Sequence, residues 1–206
     1  MPQVGPAGGK LSKCRRRTAP RSKCAYPLRW YLKMIAWRPS FAGLPHAGQF
    51  RHKGRWMDMT WITARIAMGG GIWNAANMAE VSRAGVTHIL DMQIEFDDTS
   101  LAKPHGIQVL WNAVDDDFQP KDASVFQRGV AFARSALDEP ESKLFIHCAA
   151  GVHRAPMMTL ALLCSLGWSL PEAIDLIQAR RPVVDFPDVY VHSVENYLNQ
   201  HVRNAW

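Results

Sequence analysis

Residues 145–158 read F-I-H-C-A-A-G-V-H-R-A-P-M-M, and this run leaves little choice of local fold. A short apolar stretch stops at His147 and Cys148. A loop of small residues follows, and an almost wholly apolar segment begins after Arg154. The expected order is strand, tight loop, helix. Gly151 permits a positive φ and a close approach of backbone to a ligand. Pro156 suits a first helical turn, where its missing N–H costs little.

The rest of the chain repeats that alternation. Residues 62–70 are expected to form one strand ending in a glycine turn, with the ordered domain starting near Trp61. Residues 75–84 have helical character and stop at Gly85, a suitable residue just past a helix end. Residues 86–92 and 107–114 read as strands. Asp122 is placed to cap a helix over 123–137. Residues 143–147 form a short strand, and 155–166 an apolar helix halted at Gly167. S-L-P-E at 169–172 is a capping box opening a helix to about Arg180, which Pro182 ends. A last helix covers about 189–201. The expected class is α/β, a central, mostly parallel sheet flanked by helices. In such sheets ligands bind at the carboxyl ends of strands, where Cys148 stands.

Charge divides the chain in two. Residues 1–57 hold thirteen Lys/Arg and no acid. Residues 58–206 hold the other eleven and all eighteen Asp/Glu, a net charge of −7 beneath the overall +6. We read 57–206 as the folded domain and 1–56 as a basic, Pro- and Gly-containing extension expected to be disordered. Residues 10–55 are a candidate contact for an anionic membrane or nucleic acid. Residues 26–36 mix aromatics with Arg29 and Lys33, as an interfacial helix would. A transit peptide, or translation from Met34, Met57 or Met59, are the competing explanations. Cys14 and Cys24 lack zinc-ligand spacing. With no secretory signal and no long apolar span, a cytoplasmic protein with free thiols is expected, acting as a monomer without metal or cofactor.

Cys148 and Arg154 are separated by five residues. The backbone N–H groups of Ala149, Ala150, Gly151, Val152, His153 and Arg154 open onto a helix N-terminus, which favours an anion. Arg154 can give a tetrahedral oxyanion two parallel hydrogen bonds. The same positive field favours a thiolate at Cys148, the form that attacks phosphorus. Cys164, inside the apolar helix, is expected to be inert. A leaving oxygen needs a proton donor. Asp115, Asp116 and Asp117 follow a strand and are the acid candidates, with a solvated acidic turn as the bland alternative.

H-C-A-A-G-V-H-R at 147–154 resembles the H-C-x-x-G-x-x-R signature of cysteine-dependent protein tyrosine phosphatases. The small size, G-V-T-H-I-L-D-M at 85–92, N-A-V-D-D-D at 112–117 and A-R-R-P-V-V at 179–184 resemble the dual-specificity branch. The resemblance spans about residues 57–203. It implies a metal-free, two-step reaction through a Cys148 thiophosphate, with Arg154 and the loop amides on the phosphate oxygens. Asp116 is the first choice of acid and base, then Asp117, then Asp115. His147 is implied to orient the loop, and His153 lies at its rim. The implied substrates are phosphoproteins carrying phosphotyrosine, and phosphoserine or phosphothreonine as an extension. One position departs from the pattern. Ala155 replaces the usual Ser or Thr, whose hydroxyl assists the thiolate as it leaves, so slow hydrolysis of the intermediate is expected. A phosphate-binding pseudophosphatase that docks phosphorylated partners is the competing class. Lipid or RNA phosphates are competing substrates, although the loop carries no lysine.

Overall fold

The structure is a computed structural model that describes residues 57–202; the readings of residues 1–56 lie outside them. The strands are β1 (Met59–Trp61), β2 (Ile66–Gly69), β3 (His88–Asp91), β4 (Gln108–Trp111) and β5 (Leu144–His147). They form one sheet in the order β1-β2-β5-β3-β4. β1 is antiparallel to β2, and every other pairing is parallel. The helices are α1 (Ala75–Arg83), α2 (Thr99–Ala102), α3 (Ala123–Asp138), α4 (Arg154–Ser165), α5 (Leu170–Arg180) and α6 (Asp188–Val202). Among the described residues, no helix is long and apolar enough to cross a membrane.

Residues 62–70 do not form the single strand their sequence predicts. The Ile62 and Thr63 N–H groups both donate to the Ile66 carbonyl, at 2.8 and 3.1 Å. Thr63 Oγ1 accepts from Arg65 N–H and Ile66 N–H. A threonine side chain that bonds local backbone favours a turn over a ladder. The chain therefore reverses, and Met59 pairs with Gly69 in a hairpin.

Side-chain alternation decides what each sheet face carries. Ala67, Ile89 and Phe145 share one face and pack with Met78 and Val81 of α1 and Ala102 of α2. Ile66, Met68, Leu144 and Ile146 are fully buried on the other face, where α3 and α4 lie. A ring such as Phe145, fully removed from water, contributes roughly 2–3 kcal/mol. Helix α4 is buried at every position from Arg154 to Leu163, as a central helix must be.

The helix ends follow their capping residues. Asn74 Oδ1 accepts from Ala76 N–H and Asn77 N–H at 3.0 Å, and the chain leaves α1 through Gly85 at φ 82°. Asp122 accepts from Ser124 N–H at the start of α3. Ser169 and Glu172 form the reciprocal capping box of α5. Together these fix where the strands deliver their carboxyl-end loops.

Candidate active site

Cys148 follows β5 and is 1% exposed. Gly151 N–H donates to its Sγ at 3.3 Å. Gly151 has φ 65°, and a Cβ there would lie 2.5 Å from the Gly69 carbonyl carbon and 2.7 Å from Arg181 Nη2. Conformation and space thus both demand glycine. The loop is stitched to the end of β2 by Cys148 N–H to Gly69 O (3.4 Å) and Gly71 N–H to Ala149 O (3.1 Å).

Arg181, which follows α5, braces the loop from behind. Its Nε donates to Gly151 O at 3.0 Å, and its Nη2 to Ala150 O at 3.3 Å. Asp58 holds the guanidinium fork with two contacts of 2.6 Å. In a trans peptide, C=O and N–H point opposite ways. Drawing the Ala150 carbonyl outward therefore aims the Gly151 N–H inward at sulfur. The Arg181 brace sets the polarity of the cradle.

Arg154 opens α4 and is 3% exposed. Its two terminal nitrogens donate to Glu95 at 2.8 and 2.9 Å, and Nη1 also donates to Val114 O at 3.1 Å. The hydrogen bond from Arg154 holds the Glu95 carboxyl below its ordinary range. The guanidinium is thereby fixed in plane at the mouth of the loop.

The three aspartates separate cleanly. Asp116 Oδ2 lies 3.7 Å from Arg154 Nε and 3.1 Å from His153 Nδ1. Asp116 Oδ1 accepts from the Tyr190 hydroxyl at 3.0 Å. Asp117 turns instead to Lys121, and Asp115 accepts from Asp116 N–H at 2.8 Å. His153 is half-buried, with Nε2 3.6 Å from Asp185. Burial pushes the Tyr190 phenol up to about 12, so it remains a neutral donor.

His147 is fully buried, and its ring faces two acids rather than the loop. Its Nε2 lies 2.7 Å from Asp98 Oδ2 and 3.8 Å from Asp91 Oδ1. Neither ring nitrogen of His147 has a hydrogen-bond partner among the described residues, so the expected loop-orienting bond is not seen, and the ring's neighbours are these two buried carboxyls. Burial pushes Asp91 up to about 7. Asp91, Asp98 and His147 offer metal-ligand atoms within 4.8 Å of one another. Two ligands of a tetrahedral ion stand roughly 3.3 Å apart. His147 Nε2 and Asp98 Oδ2 stand closer than that, at 2.7 Å, so this pair as placed does not bracket a tetrahedral ion.

Ala155 is fully buried. The nearby Thr159 hydroxyl donates back to the Ala155 carbonyl at 2.8 Å. Among the described residues, no hydroxyl donates to Cys148 Sγ. Burial pushes the Cys164 thiol up to about 11, and it lies in the apolar helix away from any cation of the site.

Glu95, Arg181, Asp58 and Tyr190 have no part in the sequence reading of the site. The second arginine of R-R-P at 180–182 is one available signal. Asp58, the first acid after 57 residues without one, is another.

The arrangement has relatives. The model of the family described as "Dual specificity phosphatase, catalytic domain" matches residues 71–200. Protein phosphatase Slingshot homolog 3 of Rattus norvegicus is 29% identical over 131 residues, covering 62% of this chain and 19% of that protein. Dual specificity protein phosphatase 13B of Homo sapiens is 30% identical over 119 residues, covering 55% of this chain and 60% of its own. The chain thus spans about a fifth of one relative and three fifths of the other. Among solved structures, PTPMT1 in complex with PI(5)P superposes with a TM-score of 0.65 at 19% identity, covering 72% of this chain and 99% of that one. Human DUSP28 gives 0.59 at 18%, covering 69% and 93%. Those two likenesses speak for the fold. The family model takes in well over half of the chain, and the chain belongs to the dual specificity phosphatase catalytic-domain family.

Proposed function

We propose that the protein is a cysteine-dependent phosphomonoester hydrolase acting on phosphorylated proteins, with residues 57–206 as its catalytic domain and 1–56 as a basic extension. The observation that carries this reading is convergence. A buried Cys148 Sγ receives an inward-turned loop N–H, and Arg154 and Asp116 meet beside it. In this reading Cys148 attacks phosphorus, the S–P bond forms, and the P–O bond to the leaving group breaks. Arg154 and the loop amides bind the phosphate oxygens as charge shifts onto them. Asp116 gives its proton to the departing oxygen. It then takes one from water, which attacks the thiophosphate and frees Cys148.

No metal or cofactor enters this scheme. Asp117 is spent on Lys121 and Asp115 on local backbone, which favours Asp116. The loop from Ala149 to His153 contains no lysine to meet the further phosphates of an inositol lipid. That favours a phosphoprotein over the ligand bound by the PTPMT1 neighbour. Release of p-nitrophenol from its phosphate, lost in Cys148→Ser, tests the reading. A wild-type protein with no such activity overturns it. A phosphate-capturing pseudophosphatase is the second reading, favoured by one observation: a methyl at Ala155, with no hydroxyl reaching sulfur. Tight phosphopeptide binding without turnover would select it.

A further inference from the structure

The acid-bearing segment is tied to α6. Tyr190, in the first turn of that helix, is 1% exposed. Its hydroxyl donates to Asp116 Oδ1 at 3.0 Å and accepts the Phe118 N–H at 3.1 Å. Its ring lies parallel to the Phe118 ring, with centroids 6.0 Å apart and planes 8° apart. The Lys121 ammonium sits 5.3 Å above the same ring. Three residues further along, Ser193 Oγ accepts the Lys121 N–H at 3.0 Å.

Phe118 has φ 54°. A bulky side chain rarely takes that conformation, and it persists only where the surroundings fix it. Here the phenol fixes it, through the ring and the hydroxyl together. The ring alone would pack as well from a phenylalanine. The hydroxyl is the part that packing does not require, and both of its partners belong to the acid segment.

We infer that Tyr190 is a positioning residue for the Asp116 acid. Its hydroxyl fixes the carboxyl's orientation and holds residues 116–118 in their working conformation. This rests on the phosphatase reading above. With Oδ1 committed to the phenol, Oδ2 is the oxygen that faces Arg154 and His153. The transferable proton then sits on Oδ2. It passes to the leaving alcohol or phenol oxygen as the P–O bond breaks and the S–P bond forms. Without the hydroxyl, the carboxyl can rotate and the strained segment can relax away from the mouth.

The experiment compares Tyr190→Phe with wild type on two substrates, phenyl phosphate and dinitrophenyl phosphate. The first has a leaving group that needs the acid, and the second has one that does not. The expected result is a fall of about tenfold in kcat/KM on phenyl phosphate, with less than about a twofold change on dinitrophenyl phosphate. In an Asp116→Ala background, Tyr190→Phe should then cost nothing more. Equal losses on both substrates, no loss on either, or an undiminished loss in the Asp116→Ala background would overturn the inference alone. A wild type inert toward both substrates would overturn the phosphatase reading and this inference with it.

Discussion

In the proposed mechanism the second chemical step calls for a donor beside Cys148, and a buried methyl stands at Ala155. Breaking the S–P bond expels a thiolate, and the Gly151 N–H is the one group seen donating to that sulfur among the described residues. Stopped-flow release of p-nitrophenol should therefore show a burst of about one equivalent followed by slow turnover. Ala155→Ser restores a hydroxyl and should raise the steady-state rate about five- to tenfold, the worth of one hydrogen bond. An unchanged rate would remove Ala155 from the account. At Arg181, replacement by lysine keeps the charge but loses the fork that grips Asp58 and the two loop carbonyls. Arg181→Lys should lower kcat/KM on the order of tenfold or more. Asp91 makes a prediction about stability. Its folded pKa, about 7, lies above the unfolded value. Between about pH 4 and 7 the folded state holds a proton that the unfolded state has lost, so stability falls as pH rises through that window. Asp91→Asn should flatten the fall, by a few degrees of Tm on the order of what one such group supplies, in melting curves at pH 5 and about pH 8.

Elements whose signals are local were legible in the sequence. Asn74 apart, the caps at Asp122 and Ser169, the glycine stops at Gly85 and Gly167 and the β5–loop–α4 unit could be read because each depends on neighbours within a few residues. The hairpin at residues 59–69 could not, because its three-residue strand is half-buried and carries no alternation. The site split in the same way. Cys148, Gly151 and Arg154 share one loop and announce themselves. Glu95 lies 59 positions from Arg154, and Asp58 lies 123 from Arg181. No spacing rule connects residues so distant; only the strand order brings them together. At this scale Gly151→Ala is the decisive change. The new Cβ meets the β2 carbonyl and must adopt positive φ. It should cost about 1–3 kcal/mol or more in urea unfolding and abolish phosphate release.

Across the whole molecule, two segments of opposite net charge share one chain. Removing residues 1–56 leaves an acidic protein of net charge −7. If the basic extension carries contacts to anionic vesicles or polynucleotides, salt-sensitive binding to them should vanish with it, while turnover of p-nitrophenyl phosphate persists. Binding that survives the deletion would assign it to the catalytic domain instead. The position of such a cut matters. Met57 N–H donates to Glu80, and Asp58 is the residue that locks Arg181 behind the phosphate loop. A shortened protein beginning at Met57 keeps the lock, whereas one beginning at Met59 loses it, together with the Asp58 carbonyl that accepts the Gly70 N–H. A cut two residues further in should therefore lower activity through the brace behind the loop, although every residue of the loop itself remains.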